Sequence, residues 1–340
     1  MEFGIVFDID GVLMKDGQII STAKKALNLL IDSNGKAKVP YVFVTNNGGF
    51  SEKEKAKKIS KVLDFNVEEE RVMVAHTPIK PLSEKYKDSD VLLISKSHET
   101  SVKLAECYGF KNYTTFQDYI ATRPFLYPGK YSTFWTTGIK SDYKLKEEKS
   151  NPLPYAGIIL FEEPSDWGEC IQVVIDVLQS TDGLISMSSF KKTTKQCIDL
   201  HFANPDFTYA GEFSLPRFTM GALVECIKNL YQLQTGQILK YQVYGKPHAI
   251  TYHYAKEMLK HQQEKLFGTV SLPKRIYAIG DNPYSDIRGA NQLESEGWIS
   301  ILVKTGCFQG ENNHSEFPAK HVCNDVLDAI NLILNLEHLK

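Results

Sequence analysis

Asp8 and Asp10 form a D-x-D-G motif that directly follows a short apolar segment, residues 3–7. This segment contains β-branched and aromatic residues and predicts a buried parallel strand that ends at the motif. The turn at Gly11 can bring both carboxylates to one crevice, where one attacks a substrate while the other handles protons. The motif therefore predicts nucleophilic chemistry at the end of the first strand.

Three further groups of polar residues also follow predicted strands: Thr45 with Asn46, Lys246, and Asp281 with Asp286. In an open parallel sheet, the carboxyl ends of the strands face one crevice, which is where ligands bind. We therefore expect the four groups to share a single site.

Phosphoryl transfer is the reaction that these residue types fit. It needs an in-line nucleophile, a cation against the equatorial oxygens and hydrogen-bond donors for the developing charge. Asp8 would attack phosphorus and form an aspartyl-phosphate, which divides a difficult hydrolysis into two displacements. Asp10 would protonate the leaving oxygen and then activate water.

The phosphate itself would be held by donors at two turns. Thr45 offers a hydroxyl group, and the backbone around Asn46 and Gly11 offers N–H groups to phosphate oxygens. Lys246 adds a positive charge. These four residues are the predicted phosphate-binding set.

Mg²⁺ is the predicted cofactor, because it prefers oxygen ligands and keeps several waters. The protein would need to supply only three ligands to the metal: the carboxylates of Asp8 and Asp281 and the backbone carbonyl of Asp10. Asp286, five residues after Asp281, would support the metal site from behind.

Each motif alone has ordinary explanations. A D-x-D also occurs in turns and at nucleotide-sugar sites, but nucleotide-sugar transfer does not account for Thr45, Lys246 or Asp281. Four lysines, at positions 55, 57, 58 and 61, follow a capping-box pattern at Ser51, and they predict the solvated face of a helix. The joint order of the four motifs favours the phosphoryl-transfer reading.

The four motifs, DIDGV, VTNNGG, YGKP and GDNPYSDIRGA, resemble those of the haloacid dehalogenase (HAD) superfamily. The long insertion between the second and third motifs is similar to that of subclass IIA. VTNNGGFSE, AHTP, FEEPSDW, LPRF and VKTGCF look like signatures of the cat-eye-syndrome critical region protein five-like branch, which includes fungal mitochondrial hydrolases.

The resemblance implies an α/β fold with a Rossmann-like parallel-sheet core and an inserted α/β cap. The second carboxylate, Asp10, implies hydrolysis of phosphate monoesters, with a phosphomutase ranked below it. A catalytically weak protein that keeps the fold to bind a phosphorylated metabolite or a protein partner is the alternative.

Strand and helix patterns predict a core at residues 1–80 and 216–340, with the cap at residues 81–215. Residues 113–154 have weak periodicity and predict long loops. Asn204 and Asp206 are candidate substrate contacts where the chain returns to the core, and an Asx turn is the competing explanation.

Composition limits the partners. Lys and Arg number 39 against 41 Asp and Glu, and the net charge is −2. No basic field exists to attract nucleic acid or anionic lipid, so a small phosphorylated metabolite is the expected partner. No apolar run approaches the roughly 20 residues that span a bilayer. A homodimer is compatible with the sequence but not specified by it.

Targeting signals are not evident in the sequence. Apolar strand residues begin at position 3, which leaves no room for a targeting segment before them. We therefore expect the protein in the cytoplasm, with the mitochondrion as the alternative that the resemblance suggests.

Overall fold

The structure is a computed structural model, and it describes residues 2–127, 152–209, 213, 215–268 and 271–339. In chain order the strands are β1 (Phe3–Phe7), β2 (Met14–Lys15), β3 (Gln18–Ile19), β4 (Tyr41–Val44), β5 (Val72–Met73), β6 (Asp90–Ile94), β7 (Thr114–Thr115), β8 (Tyr155–Leu160), β9 (Asp199–Phe202), β10 (Thr208–Tyr209), β11 (Arg217–Phe218), β12 (Gln242–Val243), β13 (Arg275–Gly280), β14 (Trp298–Val303) and β15 (His321–Cys323).

The helices are α1 (Ala23–Asn28), α2 (Glu52–Leu63), α3 (Leu82–Lys85), α4 (His98–Tyr108), α5 (Phe116–Thr122), α6 (Trp167–Leu178), α7 (Met220–Thr235), α8 (Ala249–Phe267), α9 (Arg288–Gln292) and α10 (Val326–Leu336). Short 3₁₀ turns lie at Glu69–Arg71, Thr77–Ile79, Pro124–Leu126 and Glu294–Glu296. A single π-helical turn, Pro283–Ile287, leads into α9.

The chain forms two compact units, which we call the core domain (Met1–Pro78 with Gly245–Lys340) and the inserted domain (Ile79–Tyr244). Each contains a parallel sheet with helices. The predicted fold class, an α/β parallel-sheet core with an inserted α/β domain, is confirmed.

The core domain is built on a six-stranded parallel sheet in the order β15-β14-β13-β1-β4-β5. Its central strand, β1, is buried along its whole length because helices cover both faces of the sheet. Ile5 and Phe7 pack into one apolar cluster and Val6 packs into the cluster on the opposite face. This alternation explains why the segment before Asp8 is continuously apolar.

Helix α2 begins with the capping box that the sequence predicts. The Ser51 hydroxyl accepts a hydrogen bond from the Glu54 backbone N–H at 3.3 Å, and the Glu54 carboxylate accepts the Ser51 N–H at 2.9 Å. Two N–H groups that the helix leaves unpaired are satisfied in this way. The cap fixes where the helix starts.

The inserted domain has its own five-stranded parallel sheet in the order β12-β9-β8-β6-β7. The predicted return to the core at residue 216 is wrong, because the inserted domain continues to Tyr244. Helix α7 buries Leu223 and Ile227 in the apolar cluster of this sheet, and β12 pairs with β9. The predicted strand before Lys246 is β12. It belongs to the sheet of the inserted domain, whereas the prediction placed it in the core.

The predicted loop region of residues 113–154 is only partly a loop. Its first part contains β7, α5 and a 3₁₀ turn, and its residues 128–151 lie outside the described residues. Among the described helices, none combines the length and apolarity needed to cross a membrane.

Candidate active site

Asp8 and Lys246 are the centre of the candidate site in the core domain. Asp8 directly follows β1, and its backbone N–H donates to Ile279 on the neighbouring strand at 2.9 Å. Lys246 Nζ lies 2.5 Å from Asp8 Oδ1. Both side chains are buried, at 7% and 9% exposure, so this ion pair is shielded from water.

The ammonium group of Lys246 has three acceptors, one for each of its N–H bonds. Besides Asp8 it contacts Asp286 Oδ1 at 2.6 Å and the backbone carbonyl of Val44 at 3.1 Å. Burial alone would lower the pKa of Lys246, but the carboxylates of Asp286 and Asp8 raise it well above its ordinary value. Lys246 is therefore a fixed positive charge beside the predicted nucleophile.

Asp281 is held in a cradle that only glycine permits. A Cβ atom at Gly11, whose φ is +91°, would lie 2.2 Å from Asp281 Oδ2, and a Cβ atom at Gly306 would lie 1.9 Å from the same oxygen. The backbone N–H of Cys307 donates to that oxygen at 2.5 Å. The two glycines let the carboxylate sit directly against the turn that follows Asp8.

The three buried carboxylates of the site form a group suited to a cation. One oxygen each of Asp8, Asp281 and Asp286 lies within 4.8 Å of the others. Burial raises the pKa of Asp8 well above its ordinary value, and the charges of Asp286 and Asp281 add to this rise while Lys246 opposes it. Burial and Asp286 likewise raise the pKa of Asp281. A dication among them would remove this repulsion.

The carboxylate oxygens of the site, and the contacts that they already make, fit Mg²⁺. Asp286 is already occupied, because Oδ1 contacts Lys246 and Oδ2 accepts the Asn282 N–H at 3.1 Å. Asp8 and Asp281 each keep an oxygen for a metal, and a site with few protein ligands and several waters suits Mg²⁺. Support of the metal site by Asp286 stays a prediction.

Asp10 lies beside Thr45 and a lysine that the sequence analysis assigned to solvent. The side chain of Asp10 is 54% exposed, and its Oδ2 lies 3.4 Å from Thr45 Oγ1 and 3.6 Å from Lys55 Nζ. Lys55 is 2% exposed, so its predicted place on a solvated helix face is wrong. The signal was available, because Lys55 is four residues before Ile59 and eight before Leu63 on the buried face of α2.

Asn46 and Gly11 lie at the site, and the N–H group of Gly11 that the prediction used is engaged within its own turn. The Asn46 side chain binds the backbone of Lys246 through both of its polar atoms. The Gly11 N–H donates to the carbonyl of Met14 at 2.6 Å. Phosphate binding by these two residues stays a prediction, and their observed contacts position Lys246 and make room for Asp281.

Asn204 and Asp206 form an Asx turn in the inserted domain, where Asn204 Oδ1 accepts the Asp206 N–H at 2.9 Å. The turn follows β9 and lies well before the end of the inserted domain at Tyr244. It is therefore not the return to the core that the sequence analysis placed there. A contact of either residue with substrate stays a prediction.

The sequence matches two family models that cover most of the core domain. Residues 5–111 match a model described as a haloacid dehalogenase-like hydrolase, and residues 243–329 match one described as HAD-hydrolase-like. The four motifs lie within these two segments.

Two fungal proteins are similar over nearly the whole chain. A mitochondrial hydrolase of Saccharomyces cerevisiae is 30% identical over 350 residues, which cover 97% of this chain and 94% of that protein. A cardiolipin synthase (CMP-forming)/mitochondrial hydrolase fusion protein of Schizosaccharomyces pombe is 35% identical over 330 residues. These cover 96% of this chain but 52% of the fusion protein, so the chain spans about half of that relative.

Solved structures share the fold at low sequence identity. A 4-nitrophenylphosphatase from Thermotoga maritima aligns with a TM-score of 0.62 at 16% identity, covering 97% of each chain. NagD from Escherichia coli aligns with a TM-score of 0.59 at 16% identity, covering 96% of this chain and 97% of that one. The chain belongs to the haloacid dehalogenase superfamily of hydrolases.

Proposed function

We propose that the protein is a Mg²⁺-dependent phosphatase that hydrolyses a small phosphate monoester through an aspartyl-phosphate on Asp8. The observation that supports this most is the buried contact of Asp8 with the ammonium of Lys246, next to a group of carboxylates in which oxygens of Asp8, Asp281 and Asp286 lie within 4.8 Å of one another. The positive charge of Lys246, and of a cation held by these carboxylates, would offset the repulsion between Asp8 and an anionic substrate.

The first step forms a covalent intermediate. A carboxylate oxygen of Asp8 bonds to phosphorus while the bond from phosphorus to the ester oxygen breaks, and the electron pair stays on that oxygen. Asp10, which is half exposed and close to Asp8 along the chain, protonates the departing alkoxide. Mg²⁺, when bound, would neutralise charge on the phosphoryl oxygens.

The second step returns the enzyme to its starting state. Asp10, now ionised, takes a proton from a water molecule whose oxygen bonds to phosphorus. The bond between phosphorus and Asp8 breaks, and inorganic phosphate leaves. Lys246 keeps its charge in both steps, because Asp286 holds its pKa high even while Asp8 is esterified.

An assay of phosphate release tests the proposal. Wild-type protein and Asp8→Asn are given p-nitrophenyl phosphate and a panel of metabolite monoesters, with Mg²⁺ or with EDTA. We expect release that needs both Asp8 and Mg²⁺. Asp16→Asn is a matched control, because Asp16 is an exposed aspartate on the next turn. Its activity should equal that of the wild type.

The alternatives give different outcomes in the same assay. A binding protein would bind Mg²⁺ and a phosphorylated ligand but release no phosphate. A phosphomutase would transfer the phosphoryl group from Asp8 to an alcohol, so its release of inorganic phosphate would stay far below its turnover of labelled substrate.

The compartment is a separate part of the proposal. Both fungal relatives have "mitochondrial" in their names, which favours the mitochondrial alternative over the cytoplasmic prediction. Fractionation of cells that express the full-length protein would decide, since enrichment with the cytosol would support the cytoplasmic prediction instead.

A further inference from the structure

Lys55 is a buried cation that the proposed reaction does not use. Its side chain is 2% exposed, although it belongs to a helix whose neighbouring lysines, Lys57 and Lys58, are exposed. Burial lowers the pKa of Lys55, while the nearby carboxylate of Asp10 raises it in part. A desolvated ammonium is costly unless a carboxylate compensates it, so its position needs a reason.

The geometry around Asp10 supplies that reason. Lys55 Nζ and Thr45 Oγ1 approach the same oxygen, Oδ2, at 3.6 and 3.4 Å. The other oxygen, Oδ1, has no hydrogen-bond partner among the described residues. An exposed carboxylate on a turn would otherwise sample several rotamers. Contacts from two neighbours to Oδ2 would restrict those rotamers.

We propose that Lys55 is a positioning residue, which together with Thr45 holds Oδ2 of Asp10 and leaves Oδ1 to exchange the proton with the leaving oxygen and with water. This inference rests on the proposed function, because it assigns Lys55 a role in the acid–base steps. Helix α2 makes the placement possible, because its four-residue spacing puts Lys55 on the same face as Ile59 and Leu63.

Lys55→Met is the main test. Methionine keeps an unbranched chain of similar length, and replacing a buried charge by an apolar side chain usually preserves folding. The partner, Asp10, is half exposed and is not left as a buried unpaired charge. Lys57→Met is the matched control, because it makes the same change two residues away on the exposed face of the same helix.

The readout is the dependence of kcat/KM on the leaving group, measured with p-nitrophenyl phosphate and phenyl phosphate. Phenolate is the poorer leaving group and depends more on protonation by Asp10. We expect Lys55→Met to lose about 10-fold on phenyl phosphate and clearly less on p-nitrophenyl phosphate, out of the 10²- to 10⁴-fold that general acid catalysis provides. Lys57→Met should match the wild type, and Lys55→Arg should recover part of the loss.

A double mutant separates positioning from direct binding. If Lys55 acts through Asp10, Lys55→Met should cause no further loss in an Asp10→Asn background. An equal loss on both substrates that persists in that background would overturn the proposal and indicate a contact with substrate. Wild-type activity in Lys55→Met would overturn it too.

Two controls keep the result independent of folding and of the proposed function. Thermal unfolding checks that each variant is folded, and if Lys55→Met is not, Lys55→Gln takes its place in the same comparison. Wild-type protein that hydrolyses neither aryl phosphate would contradict the proposed function itself. An active wild type with an unaffected Lys55→Met would contradict only the role of Lys55.

Discussion

The side chain of Asn46 forms a two-point clamp on the backbone of Lys246, 200 residues away in the chain. Asn46 Oδ1 accepts the Lys246 N–H at 2.7 Å, and Asn46 Nδ2 donates to the Lys246 carbonyl at 2.8 Å. The turn after β4 therefore fixes the residue whose ammonium contacts Asp8. This contact joins the second and third motifs of the family without a shared strand.

Removing the clamp should lower activity. Asn46→Ala deletes two hydrogen bonds worth about 1 kcal/mol each, so we expect kcat/KM to fall roughly 30-fold as Lys246 loses its position. Asn47→Ala is the matched control, since the Asn47 side chain is exposed. Steady-state kinetics on p-nitrophenyl phosphate measures both. Equal activities in the two variants would show that the clamp is dispensable.

The glycine cradle of Asp281 should control metal affinity. Gly11→Ala places a Cβ atom against Asp281 Oδ2, whereas Gly17→Ala, at a similar φ of +76°, meets no atom within 4 Å. Backbone strain is thus matched and only the collision differs. We expect Gly11→Ala to raise the Mg²⁺ concentration for half-maximal activity by about 10- to 100-fold, as for residues that orient metal ligands. A similar change in Gly17→Ala would refute the collision as the cause.

Lys246 should matter for stability as well as for turnover. Lys246→Met leaves Asp8 and Asp286 buried beside each other without their cation. We expect the free energy of unfolding to fall by about 3 kcal/mol without Mg²⁺, because breaking a buried ion pair leaves uncompensated charge. Mg²⁺ should restore part of this loss by neutralising Asp8. Urea unfolding with and without Mg²⁺ measures both effects. If Lys246→Met had the same urea midpoint as the wild type, the ion pairs of Lys246 with Asp8 and Asp286 would not stabilise the fold.

His201 makes the inserted domain sensitive to acid. Burial lowers its pKa to about 4, although Asp199 opposes this and Lys85 adds to it. The Tyr86 hydroxyl donates to Asp199 at 2.7 Å, so its oxygen accepts from His201 Nε2 at 2.8 Å, and Tyr244 lies 3.2 Å from Nδ1. Both ring nitrogens are therefore used by the neutral imidazole.

The direction of the pH effect follows from that lowered pKa. Between pH 6.5 and about 4 the unfolded chain binds a proton at His201 that the folded protein does not. The stabilisation is complete above pH 6.5 and is lost as the pH falls, by about 1.4 kcal/mol per pH unit. His201→Gln should remove this slope from urea unfolding measured between pH 4.5 and 7. A variant with the wild-type slope would show that other groups cause it.

The sequence predicted the elements of the core site because their signals are local. The apolar run at residues 3–7 is β1, the capping box at Ser51 begins α2, and a strand precedes Asp281, all as predicted. The carboxyl ends of parallel strands lie at one edge of the sheet, so the proximity of Asp8 and Asp281 followed from the predicted topology.

The wrong predictions concern features that tertiary packing determines, namely the domain boundary and the burial of Lys55. Helix α7 and strand β12 have the same apolar patterns whether they pack on the core or on the inserted domain, so the boundary was placed at 215 and not at 244. Lys55 was assigned to solvent because it stands in a run of lysines, although its spacing to Ile59 places it inside. Partner atoms such as those of Asn46 and Lys246 lie too far apart in the chain for spacing to connect them.

The central claim is that Asp8 becomes phosphorylated, and a chemical trap tests it directly. Wild-type protein is mixed with p-nitrophenyl phosphate and Mg²⁺, quenched in acid during turnover and treated with borohydride, which reduces an aspartyl-phosphate to homoserine. Peptide mass spectrometry should find homoserine at position 8, and neither EDTA-treated protein nor Asp8→Asn should contain it. Phosphate release without modification at position 8, or with modification of another residue, would contradict the assignment of Asp8 as the nucleophile.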